Sequence, residues 1–305
     1  MMRPLPLLVS PIREAMMQSF LGLALWSVAT MLIEPGWAPA LLMFGPLVLF
    51  PLLFDIWGDV TPALRRLAFL AFLPVIASYA CEQSPIAAFF VLAWLAFTLL
   101  LFAHRLQENL RAKDCVKVLI KAYLIVGASW LVLARFGHRP LGFEHVIVHA
   151  TAVHFHYAGF VLPIVASLFV AATPSQRRRV MLIGLLAGMP LVAAGITLSQ
   201  YGVYWIETVA ACTFSLTCMW FAVEQMYFAM AWRRPLLLIS GALLLAAMTL
   251  AILYAIRHFL RIELINIDFM IRAHGPLQVI GFALPGVIGW WLIAGQVNRV
   301  PSEKR

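Results

Sequence analysis

The feature that most constrains this chain is a series of long apolar runs separated by short polar connections. Hydrophobic residues make up 63% of its 305 residues and charged residues only 11%. A helix needs about 20 apolar residues to cross a bilayer, and in lipid only helices and closed barrels satisfy every backbone hydrogen bond. Ten runs approach this length: 17–33, 38–57, 64–81, 85–103, 115–135, 144–172, 180–200, 204–231, 235–257 and 275–297. The sequence therefore predicts an all-α, polytopic integral membrane bundle of about ten transmembrane helices. Since no soluble domain interrupts the runs, it also predicts a single transmembrane domain over residues 1–305.

The basic residues fall in alternate connections between the predicted spans. The members of this set are Arg3, Arg13, Arg65, Arg66, Arg105, Arg111, Lys113, Lys117, Arg177, Arg178, Arg179, Arg233, Arg234, Arg299, Lys304 and Arg305. The positive-inside rule assigns these connections, and both termini, to the cytoplasm. Arg135, Arg139 and the segment 257–272 depart from this distribution. The net charge of +9 is thus explained by membrane orientation, so lipid is an expected partner and nucleic acid is not. The first span lacks a small-residue cleavage site and is predicted to stay uncleaved.

Span six contains the most unusual stretch, E-H-V-I-V-H-A-T-A-V-H-F-H-Y-A-G-F, at residues 144–160. Ionisable residues inside a bilayer are costly and usually mark a functional site. At 100° per residue, His145, His149 and His156 share one helical face, and His154 points away from His156. His145 and His149 lie about 6 Å apart along the axis and could share a metal ion, whereas His149 and His156, about 10 Å apart, could not. A metal on this face would need ligands from other helices. Alternatively, the histidines hydrogen-bond across helices and only hold the bundle together.

Two further spans carry candidate residues. Glu207 lies toward the outer end of span eight, where it could face the histidines of span six. His274 precedes Gly275-Pro276, which is predicted to open span ten after an amphipathic segment, 257–273, on the outer membrane surface. Matching membrane depth predicts one polar site for a substrate or ion, made by His145, His149, His154, His156, Tyr157, Glu207 and His274. The metal ligands that could come from this set are His149, His154, His156 and His274.

The remaining polar and proline residues of the spans are assigned structural roles. Pro46 and Pro51 predict a kinked or locally opened helix in span two, because proline removes a helical hydrogen bond and neighbours must satisfy the freed carbonyl. Asp55 is predicted to be an interfacial acid. Lys117 and Lys121, near the start of span five, are predicted to snorkel toward water.

Three segments resemble the YndJ-like family of bacterial multi-pass membrane proteins. They are T-A-V-H-F-H-Y-A-G-F at 151–160, R-A-H-G-P-L-Q-V-I-G-F at 272–282 and F-G-P-L-V-L-F-P at 44–51. The resemblance implies a multi-pass protein of the bacterial cytoplasmic membrane and a role often described as transport. It also draws attention to His154, His156, Tyr157 and His274. Gln278 stands where an asparagine is expected.

The element H-F-H-Y is also similar to a helix of haem-copper oxidases, in which two histidines one residue apart bind two haems. The match covers four residues, and the paired-histidine copper motif and the other ligand helices are missing. Oxidase identity is therefore not expected. Haem or copper binding of another kind stays open, since imidazole suits both.

These features favour a transporter of a small molecule or ion, with a histidine-lined polar site in the outer half of the membrane. Histidine titrates near neutral pH and could couple transport to protons. The alternative is a haem-binding or metal-binding (copper or zinc) membrane protein or oxidoreductase that uses the same histidines. A scaffold with structural histidines is a further alternative. No nucleophile elbow, zincin motif or paired carboxylate is present, so a hydrolase or transferase is not expected. The sequence leaves the substrate and the oligomeric state open.

Overall fold

A computed structural model of the chain describes residues 12–260 and 265–297. Within these ranges the fold is helical without a strand, and ten helices are long and apolar enough to cross a membrane. The predicted all-α membrane bundle is therefore confirmed. The ten helices are Glu14–Ile33, Trp37–Trp57, Pro62–Tyr79, Pro85–Ala103, Cys115–Phe136, His145–Ala172, Gln176–Ser199, Tyr204–Ala231, Pro235–Ala255 and Ile267–Gln296. The bases Arg3, Arg299, Lys304 and Arg305, and residues 261–264 of the predicted surface segment, lie outside the described residues.

The chain forms two compact units, Met1–Ile164 with Trp290–Arg305, and Val165–Gly289. The helices of the first unit are α1 (Ile12–Ile33), α2 (Trp37–Phe44), the π-helical segment π1 (Gly45–Leu49), α3 (Phe50–Trp57), α4 (Pro62–Tyr79), α5 (Pro85–Ala103), α6 (Leu106–Arg111), α7 (Cys115–Phe136), α8 (His145–His156) and π2 (Tyr157–Val161). α9 (Leu162–Ala172) begins in the first unit and continues in the second. The second unit holds α10 (Gln176–Ser199), α11 (Tyr204–Ala231), α12 (Pro235–Ala255), α13 (Arg257–Leu260), α14 (Ile267–Pro276) and π3 (Leu277–Ala283), and α15 (Leu284–Val297) ends in the first unit. The single transmembrane domain stays a prediction.

Short polar side chains set where several spans begin. Thr61, Ser84 and Asp114 each accept a hydrogen bond from the backbone N–H three residues further on, at the starts of α4, α5 and α7. Ser175 does the same for α10. Such caps satisfy N–H groups that a helix start leaves without a partner, so each span can begin directly after a short connection.

Each of the three π-helical segments in the described residues stops two positions before a proline. The segments and prolines are Gly45–Leu49 with Pro51, Tyr157–Val161 with Pro163, and Leu277–Ala283 with Pro285. In each case the residue just before the proline donates its N–H to the carbonyl five residues back. A proline ring clashes with the carbonyl four residues earlier in a regular α-helix. Widening the preceding turn relieves this clash without ending the span.

Side chains of neighbouring helices bind the carbonyls of the opened second span. Trp26 Nε1 donates to Ala40 O at 2.7 Å, and Ser19 Oγ donates to Val48 O at 2.8 Å. Tyr157 OH donates to Leu41 O at 2.6 Å. Lipid offers no hydrogen bonds, so an irregular turn is tolerated only where protein supplies them. The local opening predicted from the prolines of span two is thus present and anchored on two sides.

The π3 segment of the second unit is anchored by a buried polar pair. Ser240 Oγ donates to Phe282 O at 3.0 Å, and Gln225 Nε2 donates to Ser240 Oγ at 3.1 Å and to Leu237 O at 3.2 Å. Both side chains are fully buried. They tie α11 and α12 to the widened turn.

The predicted start of span ten is wrong. The helix begins at Ile267, where the Asn266 side chain accepts a hydrogen bond from Phe269 N, and it runs through Pro276 into π3. Residues 267–273 therefore belong to this span and not to a helix on the membrane surface. Capped by Asn266, the helix begins at Ile267, about two turns before the His274-Gly275-Pro276 element. The widened turn that follows accommodates the proline inside the helix.

Candidate functional site

His149 belongs to a polar network that joins three spans of the first unit. Its Nε2 lies 2.9 Å from the hydroxyl of Tyr79 at the end of α4. The guanidinium of Arg135, near the end of α7, lies over the Tyr79 ring at 4.8 Å from the ring centroid. A cation over an aromatic face is attracted by the ring quadrupole. These residues, called the Tyr79 network below, bring together a histidine, a phenol and a permanent cation.

Arg135 is the least expected member of the Tyr79 network. Its side chain is only 6% exposed, and Nη2 donates to Ser78 O and Cys81 O, both at 2.7 Å. These carbonyls lie at the C-terminus of α4, where the helix dipole favours a cation. Nε has no hydrogen-bond partner among the described residues. In the sequence, Arg135 is an exception to the placement of bases in alternate connections, and this exception was the only sign that it could belong to a site.

His156 is fully buried, and both of its ring nitrogens are engaged. Nδ1 lies 2.7 Å from Ala152 O, and Trp94 Nε1 donates to Nε2 at 2.9 Å. A carbonyl only accepts and an indole N–H only donates, so the ring is the neutral tautomer with its proton on Nδ1. Gly127 leaves room for it, since a Cβ there would lie 2.8 Å from Nδ1. A metal or haem could bind His156 only after one of these bonds broke.

Replacing Trp94 by phenylalanine is expected to lower the free energy of unfolding by about 1–3 kcal/mol, because His156 Nε2 would be buried without a partner. Unfolding of the detergent-solubilised protein in denaturant measures this change. The control is Trp205→Phe, since Trp205 is 61% exposed. The double variant with His156→Phe should recover part of the loss. Equal stability of the Trp94 and Trp205 variants would contradict the assignment.

The other candidates of span six have different surroundings. His145 is exposed, and His154 is half-buried. Tyr157 is buried and bound to Leu41 O, and a Cβ on Gly45 would lie 3.1 Å from its hydroxyl. His149 contacts Tyr79 of α4 and His156 contacts Trp94 of α5, and the shared face of these two histidines stays a prediction.

Glu207 and His274 lie in the second unit, where each has its own partner. Glu207 is 5% exposed and pairs with Arg257 at 3.2 Å. The same Arg257 nitrogen donates to Tyr254 O at 2.7 Å. His274 Nδ1 lies 2.9 Å from Ala247 O. The convergence of these residues with the histidines of the first unit stays a prediction.

Lys121 does not snorkel, and that prediction is wrong. It is 1% exposed, as is Asp59, whose Oδ2 lies 2.5 Å from Lys121 Nζ. Lys121 also donates to His104 O at 2.8 Å, and Lys117 lies 3.7 Å from the other oxygen of Asp59. A carboxylate on the connection between α3 and α4 thus draws the ammonium inward. Burial, and then the positive charges of Lys121 and Arg105, lower the pKa of His104 at this place.

Asp55 is more than the predicted interfacial acid. Its Oδ1 lies 2.6 Å from Arg65 Nη1, and its Oδ2 accepts from Trp291 Nε1 at 3.1 Å. Arg65 also donates to Gln18 at 3.1 Å and pairs with Glu14 at 3.3 Å. The side chains of Asp55 and Arg65 are 8% and 3% exposed. Arg65, which is one of the bases used to predict the membrane orientation, is therefore also part of a buried ion pair.

The described residues contain no group of three or more histidine, cysteine, aspartate or glutamate side chains that could hold a metal ion.

The family model for YndJ-like proteins matches residues 40–282, which is more than half of the chain. The chain belongs to the YndJ-like family. The match includes all three segments on which the resemblance was based. This YndJ-like protein is similar to an uncharacterized membrane protein, YndJ, of Bacillus subtilis (strain 168), with 26% identity over 76% of the present chain and 48% of the relative. The chain spans about half the length of that relative. No solved structure matches this YndJ-like protein.

Proposed function

We propose that this protein is a transporter of a small polar solute in the bacterial cytoplasmic membrane, with the Tyr79 network as part of its recognition site. One observation carries the proposal. His149, Tyr79 and the buried Arg135 come from three different candidate membrane spans, and Tyr79 contacts both of the others. Polar and charged groups in such a position are costly and usually belong to a substrate or ion pathway.

The orientation of the site follows from the distribution of bases. With both termini and the basic connections in the cytoplasm, the Tyr79 network lies in the outer half of the membrane. Arg65, Lys117 and Lys121 then lie toward the cytoplasm. His145 is exposed near the start of α8, at the outer mouth of the proposed site. The roles of His154, His156 and Tyr157 in binding are part of the same proposal, while those of Glu207 and His274, in the second unit, stay predictions.

The opened helices support transport because a π-helical turn is a place where a span can change its register. Such turns are frequent at functional sites, and transporters use interrupted helices at their binding sites. Tyr157 connects two of these turns, since it begins π2 and binds the carbonyl of Leu41 just before π1. Motion of one span is thereby coupled to the other.

The haem or metal alternative draws less support from the geometry. His154 and His156 would have to serve as ligands, yet both nitrogens of His156 are engaged by Ala152 and Trp94. An absorption spectrum and elemental analysis of the purified protein decide this alternative. A Soret band or a stoichiometric metal that is lost in the His154→Ala/His156→Ala variant would favour a cofactor protein.

Transport is tested by screening small polar solutes for thermal stabilisation of the detergent-solubilised protein and then measuring uptake of each hit in proteoliposomes. We expect His149→Ala to lower uptake at least about tenfold, because a hydrogen bond that positions Tyr79 is lost. The control is His138→Ala, since His138 is exposed on a connection. Absence of uptake for every stabilising solute, or equal uptake by the His149 variant, would overturn the proposal.

A further inference from the structure

The buried bases of the first unit differ in their counter-charges. Among the described residues three lysine or arginine side chains are buried, Arg65, Lys121 and Arg135. Arg65 has Asp55 at 2.6 Å, and Lys121 has Asp59 at 2.5 Å. In the described part of the chain no carboxylate lies within 4.0 Å of the Arg135 guanidinium. Within residues 12–260 and 265–297, Arg135 is thus a buried cation without a carboxylate beside it.

This arrangement leaves a formal charge that the local bonds do not neutralise. The partners of Nη2 are the carbonyls of Ser78 and Cys81, which are dipoles and carry no net charge. Glu82, next to the Cys81 carbonyl that binds Arg135, and Glu144, the next acid after Arg135 in the sequence, are both exposed. A buried charge without a partner is expensive. An external anion would remove that cost.

The groups around Arg135 also have the chemistry of an anion site. Its buried Nε has no hydrogen-bond partner among the residues described. The Tyr79 ring orients the guanidinium from one side, and the Tyr79 hydroxyl and His149 supply a second polar edge. Nη2 already donates to Ser78 O and Cys81 O, so an oxyanion would accept a charge-assisted hydrogen bond from Nε, and such bonds are stronger than those between neutral groups.

We infer that the solute of the Tyr79 network is a small oxyanion, a carboxylate or a phosphate-like group, with Arg135 as its counter-ion. The inference rests on the proposed function in that the recognition site is the same. The anion takes the place that Asp55 and Asp59 have beside the other two buried bases. Tyr79 and His149 position the anion and select among oxyanions of different shape.

The test measures the unfolding temperature of the detergent-solubilised protein in sodium succinate, sodium phosphate, sodium sulfate, mannitol and choline chloride at constant ionic strength. We expect at least one oxyanion to raise the unfolding temperature to a saturating value. Mannitol, which is neutral, and choline, which is a cation, should leave the unfolding temperature unchanged. Arg135→Gln should weaken binding at least about tenfold, because a charge-assisted hydrogen bond is lost. Succinate against phosphate and sulfate distinguishes the two classes of oxyanion.

The matched control is Arg139→Gln, since Arg139 is exposed four residues away and donates to Phe143 O. It should bind like the unchanged protein. If Arg135→Gln does not fold, Arg135→Lys keeps the charge and should bind oxyanions more weakly, and equilibrium dialysis of labelled succinate and phosphate measures binding to the unchanged protein directly. No saturable oxyanion binding there, or equal binding by the Arg135 and Arg139 variants, would overturn the inference.

The two proposals fail in different ways. Oxyanion binding that requires Arg135, without uptake into proteoliposomes, supports the anion site and removes the transport function. Uptake of a neutral or cationic solute that depends on His149 but is insensitive to succinate, phosphate and sulfate supports transport and removes the anion inference.

Discussion

Replacing Asp59 by asparagine is expected to lower the free energy of unfolding by about 3–5 kcal/mol, because it leaves a buried charge without its partner. Asp59 and Lys121 are both 1% exposed and lie 2.5 Å apart. The other oxygen of Asp59 is 3.7 Å from Lys117. Lys121 Nζ also lies 6.0 Å from the centroid of the Trp57 ring at the end of α3, so little room is left for water to replace the carboxylate. Equilibrium unfolding of the detergent-solubilised protein in denaturant measures the loss.

The control is Asp114→Asn, which changes a second aspartate beside Lys117. Asp114 lies 3.4 Å from Lys117, both side chains are 33% exposed, and Asp114 also caps α7. Exposed pairs contribute only about 0–1 kcal/mol, and asparagine caps a helix as well as aspartate does, so this variant should remain close to the unchanged protein. Combining Asp59→Asn with Lys121→Met should restore much of the lost stability, because both buried charges are gone. Equal effects of the Asp59 and Asp114 changes would contradict the buried ion pair.

The ten spans could be predicted because length and hydropathy decide whether a helix can cross a bilayer. The pairing of Asp59 with Lys121 could not, because it joins connections and spans that are distant in sequence. The rule that lysine snorkels at a helix end assumes that this end faces water or lipid headgroups. Here a carboxylate from another element lies closer than water. The partners of Arg135 could not be predicted for the same reason, since they are carbonyls at the end of α4.

A proline two positions after each π-helical segment is the sequence signal of these turns. Pro46 and Pro51 predicted an opening in span two, but the related elements G-F-V-L-P at 159–163 and G-F-A-L-P at 281–285 also mark widened turns. A π turn adds a residue, so a helical wheel at 100° per residue holds only up to Tyr157 in span six. The histidines from His145 to His156 all precede that turn. Their predicted faces therefore do not depend on the widened turn and stay a prediction, while the predicted start of span ten, after an amphipathic segment and at Gly275-Pro276, was wrong.

The candidate site was predictable in its residue types and not in its partners. His149 was foreseen as a polar group in the membrane, but its bond to Tyr79 depends on how α4 packs against α8. His156 was proposed as a ligand, and its two bonds to Trp94 and Ala152 are compatible with the structural role that was the alternative. Spacing along one helix defines a face, whereas the choice between binding and packing is made by the neighbouring helices.

Replacing Gly22 by alanine is expected to lower the free energy of unfolding by about 3 kcal/mol or more, at or above the upper end for overpacked cores. A Cβ at this position would overlap the carbonyl oxygen of Leu47 and would lie 2.6 Å from the Leu47 carbonyl carbon. Both atoms are backbone atoms of π1, so no side-chain rotation can relieve the overlap. α1 would have to move away from span two. The same denaturant unfolding measurement gives the loss.

Moving α1 would also affect the hydrogen bonds that keep the second span open. Ser19 Oγ and Trp26 Nε1 donate from α1 to Val48 O and Ala40 O, and stretching these bonds would leave carbonyls without partners in lipid. The control is Gly184→Ala, where the three atoms nearest to a Cβ all belong to the side chain of Thr217, the first at 3.0 Å. That side chain can shift by a few tenths of an ångström, so the control should lose about 1 kcal/mol or less. If the Gly22 variant were as stable as the Gly184 variant, α1 would not pack against π1 at this distance, and the opened turn would have to be held by Tyr157 alone.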